Sequence, residues 1–210
     1  MMISKAIIYG AGGHARELHF QLQAEGASVL AFIDDFRSGF DLDSTPVLSR
    51  DDARIRFPDA NWYIAIGNIA GRKTVLKKLR DLGLTVGSFI SSRALISPSA
   101  TICGAAQIFA NTVVSSGVRL ADNVIVNFGS VISHDVRIGS NSFLAANVTI
   151  AGHVDVGDDV WLGAGSVVRN GTSGNPLRIG NRVTVGASAC VVGDVVDGYT
   201  VIGVPAKKKD

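Results

Sequence analysis

The chain has 210 residues, 47% of them hydrophobic and 18% charged, enough to bury a sizeable core in one large domain or two small ones; two are expected. Twenty Lys and Arg against eighteen Asp and Glu leave a formal net charge of +2, with the positives scattered apart from Lys207, Lys208 and Lys209, which argues against a nucleic-acid partner. No apolar run approaches the roughly 20 residues of a membrane span, and no charged segment with a following apolar core opens the chain, so a cytoplasmic protein without membrane insertion is expected. Cys103 and Cys190 stand apart without CxxC spacing, which predicts buried free thiols and neither a disulfide nor a metal site. The 24 glycines, well above the average share of about 7%, ask for a backbone explanation.

Residues 4 to 9 form a buried-strand pattern, followed by Gly10-Ala11-Gly12-Gly13-His14-Ala15 and a helical stretch from Arg16 to about Glu25. Strand, glycine turn and helix make a phosphate-binding arrangement, with anions meeting free N–H donors at the helix start. A second strand, Val29 to Ile33, ends in Asp34 and Asp35, and a third, Trp62 to Ile66, ends in Gly67 and Asn68. The acidic pair lies about twenty residues past the loop, where a dinucleotide fold places its ribose ligand. Fewer than about ninety residues precede the next domain, too few for a second mononucleotide half, so a single nucleotide diphosphate fits better.

From Ile90 onward an aliphatic residue recurs every six positions: Ile90, Ile96, Ile102, Ile108, Val114, Leu120, Val126, Ile132, Ile138, Leu144, Ile150, Val156, Leu162 and Val168. Four residues after an anchor comes a small or apolar side chain, as at Val118, Val136, Val154 and Ser166, and glycine often follows the anchor directly, as at Gly139, Gly157 and Gly163. A strict six is neither the 3.6 of a helix nor the 2.0 of a half-buried strand. It predicts a triangular parallel solenoid of one short strand and one corner per hexapeptide, with 18 residues per coil. The phase breaks between Val168 and Ile179 by five extra residues, which must bulge outward as a loop.

Over roughly residues 88 to 206 this pattern resembles the hexapeptide-repeat acyltransferases, a likeness that implies a left-handed β-helix and a homotrimer. Six segments sharpen it: Tyr9-Gly10-Ala11-Gly12-Gly13-His14, Phe32-Ile33-Asp34-Asp35-Phe36, Ile64-Ala65-Ile66-Gly67-Asn68, Ala94-Leu95-Ile96-Ser97-Pro98-Ser99-Ala100, Ile132-Ser133-His134-Asp135 and Gly203-Val204-Pro205-Ala206-Lys207. Together they resemble the acetyltransferases of nucleotide-linked 4-amino-4,6-dideoxy sugars, with sialic acid O-acetyltransferases as near relatives. The expected organisation is a Rossmann-like βαβ domain binding a nucleotide sugar over residues 1–87 and a β-helix acetyltransferase domain with a C-terminal tail over residues 88–210. By the same likeness Gly12, Gly13 and His14 meet the diphosphate, Asp34 and Asp35 the base and ribose, and Gly67 and Arg72 close the pocket. Acetyl-CoA is the implied co-substrate, and no metal is expected.

His134 stands two residues after anchor Ile132, at a corner where side chains face outward, and Asp135 follows it. In the resembled family the matching histidine is the general base; an imidazole is suited to take the proton of an attacking amine, and a neighbouring carboxylate orients the ring. Gly152, eighteen residues on, is the candidate oxyanion donor. Ala164 and Ala187 stack once the insertion is counted and leave room for pantetheine. Phe143 stands where some relatives carry a histidine that contacts the coenzyme. Because His134 and Ala164 lie on different faces of one prism, a single coenzyme reaches both only across a subunit boundary. His19 and His153 read as structural or solvated. The competing readings are O-acetylation of a sialic acid or similar sugar, a γ-type carbonic anhydrase lacking its third histidine, a dehydrogenase, and a non-catalytic nucleotide-binding scaffold.

Overall fold

The computed structural model describes residues 5–209, and the chain divides into two compact units with the boundary between Phe89 and Ile90. Ser4 of the expected first strand lies outside the described residues, as does Asp210 of the tail.

The first unit is an α/β sheet of order β3-β4-β2-β1-β5, in which β1 (Lys5–Tyr9) pairs in parallel with β2 (Ser28–Ile33) on one side and β5 (Asn61–Ile64) on the other. Helix α1 (Gly13–Ala24) joins β1 to β2, and its inward face, with Ala15, Leu18 and Leu22, is fully buried with Ile7, Ile8, Phe32 and Ile33 of the strands. It starts three residues before the expected Arg16, because Gly12 in extended backbone already serves as N-cap. Strand β5 stops at Ile64, short of the expected Ile66. Helix α3 (Ile69–Asp81) follows, its start fixed by the Asn68 side chain, which accepts from the Gly71 N–H at 2.8 Å. A hairpin of β3 (Phe40–Leu42) and β4 (Thr45–Leu48) and the short α2 (Arg50–Arg56) complete the unit. Neither was anticipated, though Asp43 and Ser44 both turn with positive φ, as a two-residue hairpin requires, and Ser49 caps α2 by accepting from Asp52 N–H.

Gly10 is the glycine of the first loop that admits no other residue. Its φ is +125°, and a Cβ would stand 2.5 Å from the Ala65 carbonyl oxygen, while Gly12 and Gly13 face open space. Gly10→Ala is therefore expected to destabilise the protein by about 2–4 kcal/mol, read as a lowered denaturant midpoint with an unchanged slope.

The second unit is a parallel β-helix with three faces, in sheets of six, five and eight strands. Partners lie 18 residues apart, as in Val113↔Val131↔Thr149, Arg119↔Arg137 and Ile125↔Phe143, and 23 apart across the insertion, as in Val167↔Cys190 and Trp161↔Thr184. Anchors from Ile108 to Val168 are buried in one continuous aliphatic core, with Val118, Val136, Val154 and Ser166 fully covered at the corners. Ile96 and Ile102 are only partly buried, and Ile90, on the first coil, is 43% exposed. At the other end the strand Lys207–Lys208 turns back antiparallel against Thr200–Ile202, covering an edge that would otherwise be open to pairing.

The glycines after the anchors do not make the turns. The left-handed position is the third after the anchor, filled by Asn111, Asn123, Asp135, Asn141, Asn147, His153 and Asp159 as readily as by glycine. Gly139 and Gly163 serve close stacking instead, since a Cβ at either would meet backbone of the next coil at 2.5 Å. The cysteines also depart from expectation: Cys103 is exposed and Cys190 half-buried, because Cys103 follows and Cys190 precedes an inward anchor. Among the described residues no helix is long and apolar enough to cross a membrane.

Candidate active site

The corner between strands Val131–Ile132 and Arg137–Ile138 carries His134 and Asp135. Because the coil repeats every 18 residues, His134 lies over Gly152, and Asp135 lies between Gly117 and His153. The imidazole Nδ1 is 3.0 Å from the Asp135 carboxylate, and both side chains are more than half exposed. A Cβ built on Gly152 would fall 2.5 Å from Cε1 and Nε2 of the ring, so only the bare backbone of this residue fits beneath it. Among the described residues the Gly152 N–H has no acceptor within the chain, unlike the Ser140 and Asp158 amides at the same position of the repeat, which donate to Asp158 and Asn181. Asp135 is held below the ordinary carboxylate range, chiefly by its hydrogen bond with His134, against a small desolvation penalty and with help from the charges of His153, His134 and Arg137.

His153 joins this corner, contrary to the expectation that it is merely structural or solvated. Its Nδ1 lies 3.9 Å from the same Asp135 oxygen, and its ring stands perpendicular to that of His134 at a centroid distance of 5.0 Å. The signal was in the sequence: Asp135 and His153 are one coil apart. The insertion bulges from the same corner, where Gly171 N–H donates to the Gly152 carbonyl at 3.0 Å and Leu177 N–H to the His153 carbonyl at 3.1 Å. His134, Asp135 and His153 also offer ligand atoms within 4.8 Å of one another.

Ala164 and Ala187 occupy a different corner, between the faces containing Trp161–Leu162 and Val167–Val168. Ser188 N–H donates to the Ala164 carbonyl at 2.8 Å, which places the two alanines in register, both exposed and without bulk above them. Phe143 is 5% exposed, its ring flat on that of Trp161 at 4.3 Å and 6°; its packing partner is within the chain.

In the first unit a cleft of 430 Å³ opens at the carboxyl ends of β1 and β2, lined by Tyr9, Gly10, Asp34, Asp35, Phe36 and Ile66 among others. Gly12, Gly13 and His14 form the adjoining start of α1, whose first turn carries no acidic side chain; His14 Nδ1 lies 3.2 Å from Glu17. Asp34 is occupied by its own loop, accepting from Phe36 N–H at 2.9 Å and Arg37 N–H at 3.1 Å. Asp35 accepts from the Tyr9 hydroxyl at 2.6 Å and the Lys78 ammonium at 3.2 Å. Arg72 is fully buried and donates to the carbonyls of Ile66 and Gly67 at 3.1 and 3.2 Å, bracing the β5–α3 loop from within and not lining the cleft.

Burial pushes the Asp35 carboxyl up, but the bonds from Tyr9 and Lys78 outweigh it and hold it below the ordinary range. A carboxyl whose folded pKa is depressed stabilises the fold above its unfolded pKa and loses that contribution as pH falls through the folded value. Asp35→Asn is thus expected to cost about 1 kcal/mol at pH 7, with the gap to wild type closing as pH drops below the carboxylate range in parallel urea titrations.

A β-helix whose corner pairs an exposed imidazole with a carboxylate over a bare glycine, preceded by an α/β unit with a cleft at the carboxyl ends of its strands, defines an acyltransferase of the hexapeptide class. Residues 5–79 match the PglD N-terminal domain, 117–152 the bacterial transferase hexapeptide (six repeats) and 135–171 the hexapeptide repeat of succinyl-transferase. A GDP-perosamine N-acetyltransferase of Escherichia coli O157:H7 is 28% identical over 209 residues, covering 96% of this chain and 94% of that one. The crystal structure of PerB from Caulobacter crescentus in complex with CoA and GDP-perosamine is 32% identical with a TM-score of 0.88, covering 99% of this chain and 98% of that one. WeeI from Acinetobacter baumannii AYE reaches a TM-score of 0.93 at 29% identity, covering 98% of this chain and all (100%) of that one. The chain belongs to the hexapeptide-repeat sugar acetyltransferases with a PglD N-terminal domain, and its solenoid is the left-handed parallel β-helix of that family.

Proposed function

We propose that the protein transfers the acetyl group of acetyl-CoA to the 4-amino group of a nucleotide-linked 4-amino-4,6-dideoxy sugar, with His134 as general base. The observation that carries this reading is the 3.0 Å His134–Asp135 pair lying directly over the backbone of Gly152. Asp135 accepts the Nδ1 proton and fixes the tautomer that leaves the Nε2 lone pair free. As the sugar amine attacks the thioester carbonyl, Nε2 takes its proton, and the Gly152 N–H receives the developing oxyanion. Collapse of the intermediate expels the coenzyme thiolate, to which the imidazolium returns the proton. Both substrates are bound together, so proximity supplies a large share of the acceleration.

In this reading the first unit holds the nucleotide, with the diphosphate at the amides of Gly12, Gly13 and His14. Asp35 and the loop that Asp34 organises flank the base and ribose, while the buried Arg72 acts only indirectly, holding the Ile66–Gly67 backbone in place. Pantetheine crosses the open alanines Ala164 and Ala187, beside Phe143. These stand on a different corner from His134, so the second corner comes from a neighbouring subunit of a homotrimer. Supporting this, the face between the two corners exposes Leu95, Val131 and Val167, apolar surface that a second copy covers. The relatives named above support an amino acceptor, since one is a GDP-perosamine N-acetyltransferase and PerB was crystallised with CoA and GDP-perosamine. The test is thiol release from acetyl-CoA with UDP-, GDP- and dTDP-linked 4-amino sugars and with sialic acid. Turnover with one nucleotide amino sugar is expected; turnover with sialic acid alone overturns the amine in favour of a hydroxyl acceptor, and silence throughout leaves a binding scaffold.

A further inference from the structure

We infer that His153 is a positioning residue for the general base, a role that rests on the reading of His134 given above. Three observations meet at this side chain. It occupies the left-handed corner position (φ 56°) that Asn fills at 111, 123, 141 and 147, a site where an imidazole has no local advantage. It faces the Asp135 oxygen that His134 also uses, at 3.9 Å against 3.0 Å. Its ring stands perpendicular to the His134 ring at 5.0 Å, the edge-on geometry that aromatic pairs prefer.

The consequence follows from charge. A lone carboxylate against His134 favours the imidazolium, which cannot act as a base. A second imidazole 3.9 Å from the same oxygen competes for its charge and, edge-on to the first ring at 5.0 Å, opposes accumulation of positive charge on His134. The other charges at this corner are Arg137, which acts on Asp135, and Asp155, paired with Arg137 at 3.4 Å. The loop over residues 171–177, which packs against the same stack, carries no titratable side chain. His153 is thereby placed to tune the base through Asp135 and the His134 ring.

The test is His153→Asn, which keeps the residue type the corner accepts elsewhere, with His153→Gln as the conservative variant whose amide reaches toward Asp135. The Asn variant is expected to unfold like wild type, to lose about tenfold in kcat with both KM values within about twofold, and to shift the acid limb of kcat/KM upward by about half a pH unit. The Gln variant regains part of kcat. Independently of any substrate, the NMR titration of the His134 ring proton moves to higher pH by a similar amount in the Asn variant. An unmoved His134 titration overturns the proposal, whether kcat is intact or reduced, a reduction then belonging to packing alone. A protein that transfers acetyl to no amino sugar sinks the proposed function instead, and the ring titration still decides the pairing of His153 with His134.

Discussion

His134→Ala is expected to lower kcat by roughly 10²- to 10⁴-fold while leaving acetyl-CoA affinity within about twofold. The ring is exposed, is hydrogen-bonded to Asp135, and supports no part of the aliphatic core, so its loss removes proton transfer and little else. Stability is expected to change by less than about 0.5 kcal/mol, as for surface substitutions generally. Steady-state kinetics beside calorimetric titration with CoA separates the two effects. Turnover near wild type with full coenzyme binding would remove His134 from the mechanism.

Gly152→Ala is expected to lower kcat by about 10²- to 10³-fold, through displacement of the base and not through loss of the coil. The added methyl meets Cε1 and Nε2 of His134 at 2.5 Å, and the ring, being the far end of an exposed side chain, swings aside at small cost. Gly163 makes the contrast, because there the same methyl meets the Ala187 backbone nitrogen, which cannot move without opening the next coil. Thermal unfolding of Gly152→Ala is accordingly expected within a few degrees of wild type while activity collapses. A large drop in the unfolding midpoint would assign Gly152 to the scaffold.

The solenoid was legible because its core is one-dimensional: each inward anchor repeats at a fixed interval, so a run of aliphatic residues at spacing six reveals strand, corner and face together. The stacking of His134 over Gly152 and of Ala164 beside Ala187 followed from the same arithmetic. His153 obeys the same arithmetic, one coil after Asp135, but it stacks on the column of Asp135 and not on that of His134, and a single histidine at a corner reads as solvated. The role of the glycines is not legible in the repeat for another reason. Asn and Asp reach the left-handed region at modest cost, so the repeat shares its turns between them and glycines such as Gly117, Gly129 and Gly165, while Gly139 and Gly163 serve close approach, a distinction composition does not carry.

The first unit was less open to reading. Its strands and α1 follow from apolar runs, but the β3–β4 hairpin and α2 are too short for periodicity to mark. Asp34 and Asp35 stand at the strand end as expected, yet their commitments to the Phe36 amide, Tyr9 and Lys78 depend on residues up to 43 positions away. Arg72 is the clearest case: a guanidinium in a helix reads as a surface ligand, whereas here the carbonyls of Ile66 and Gly67 draw it fully inside.

The most direct measurement is the structure of the product formed from acetyl-CoA and the accepted nucleotide amino sugar, determined by NMR together with a count of thiol released. The account predicts one acetyl group on the 4-amino nitrogen for each thiol, with no release when the acceptor is omitted. An acetyl group on oxygen, or thiol release independent of the acceptor, would contradict it.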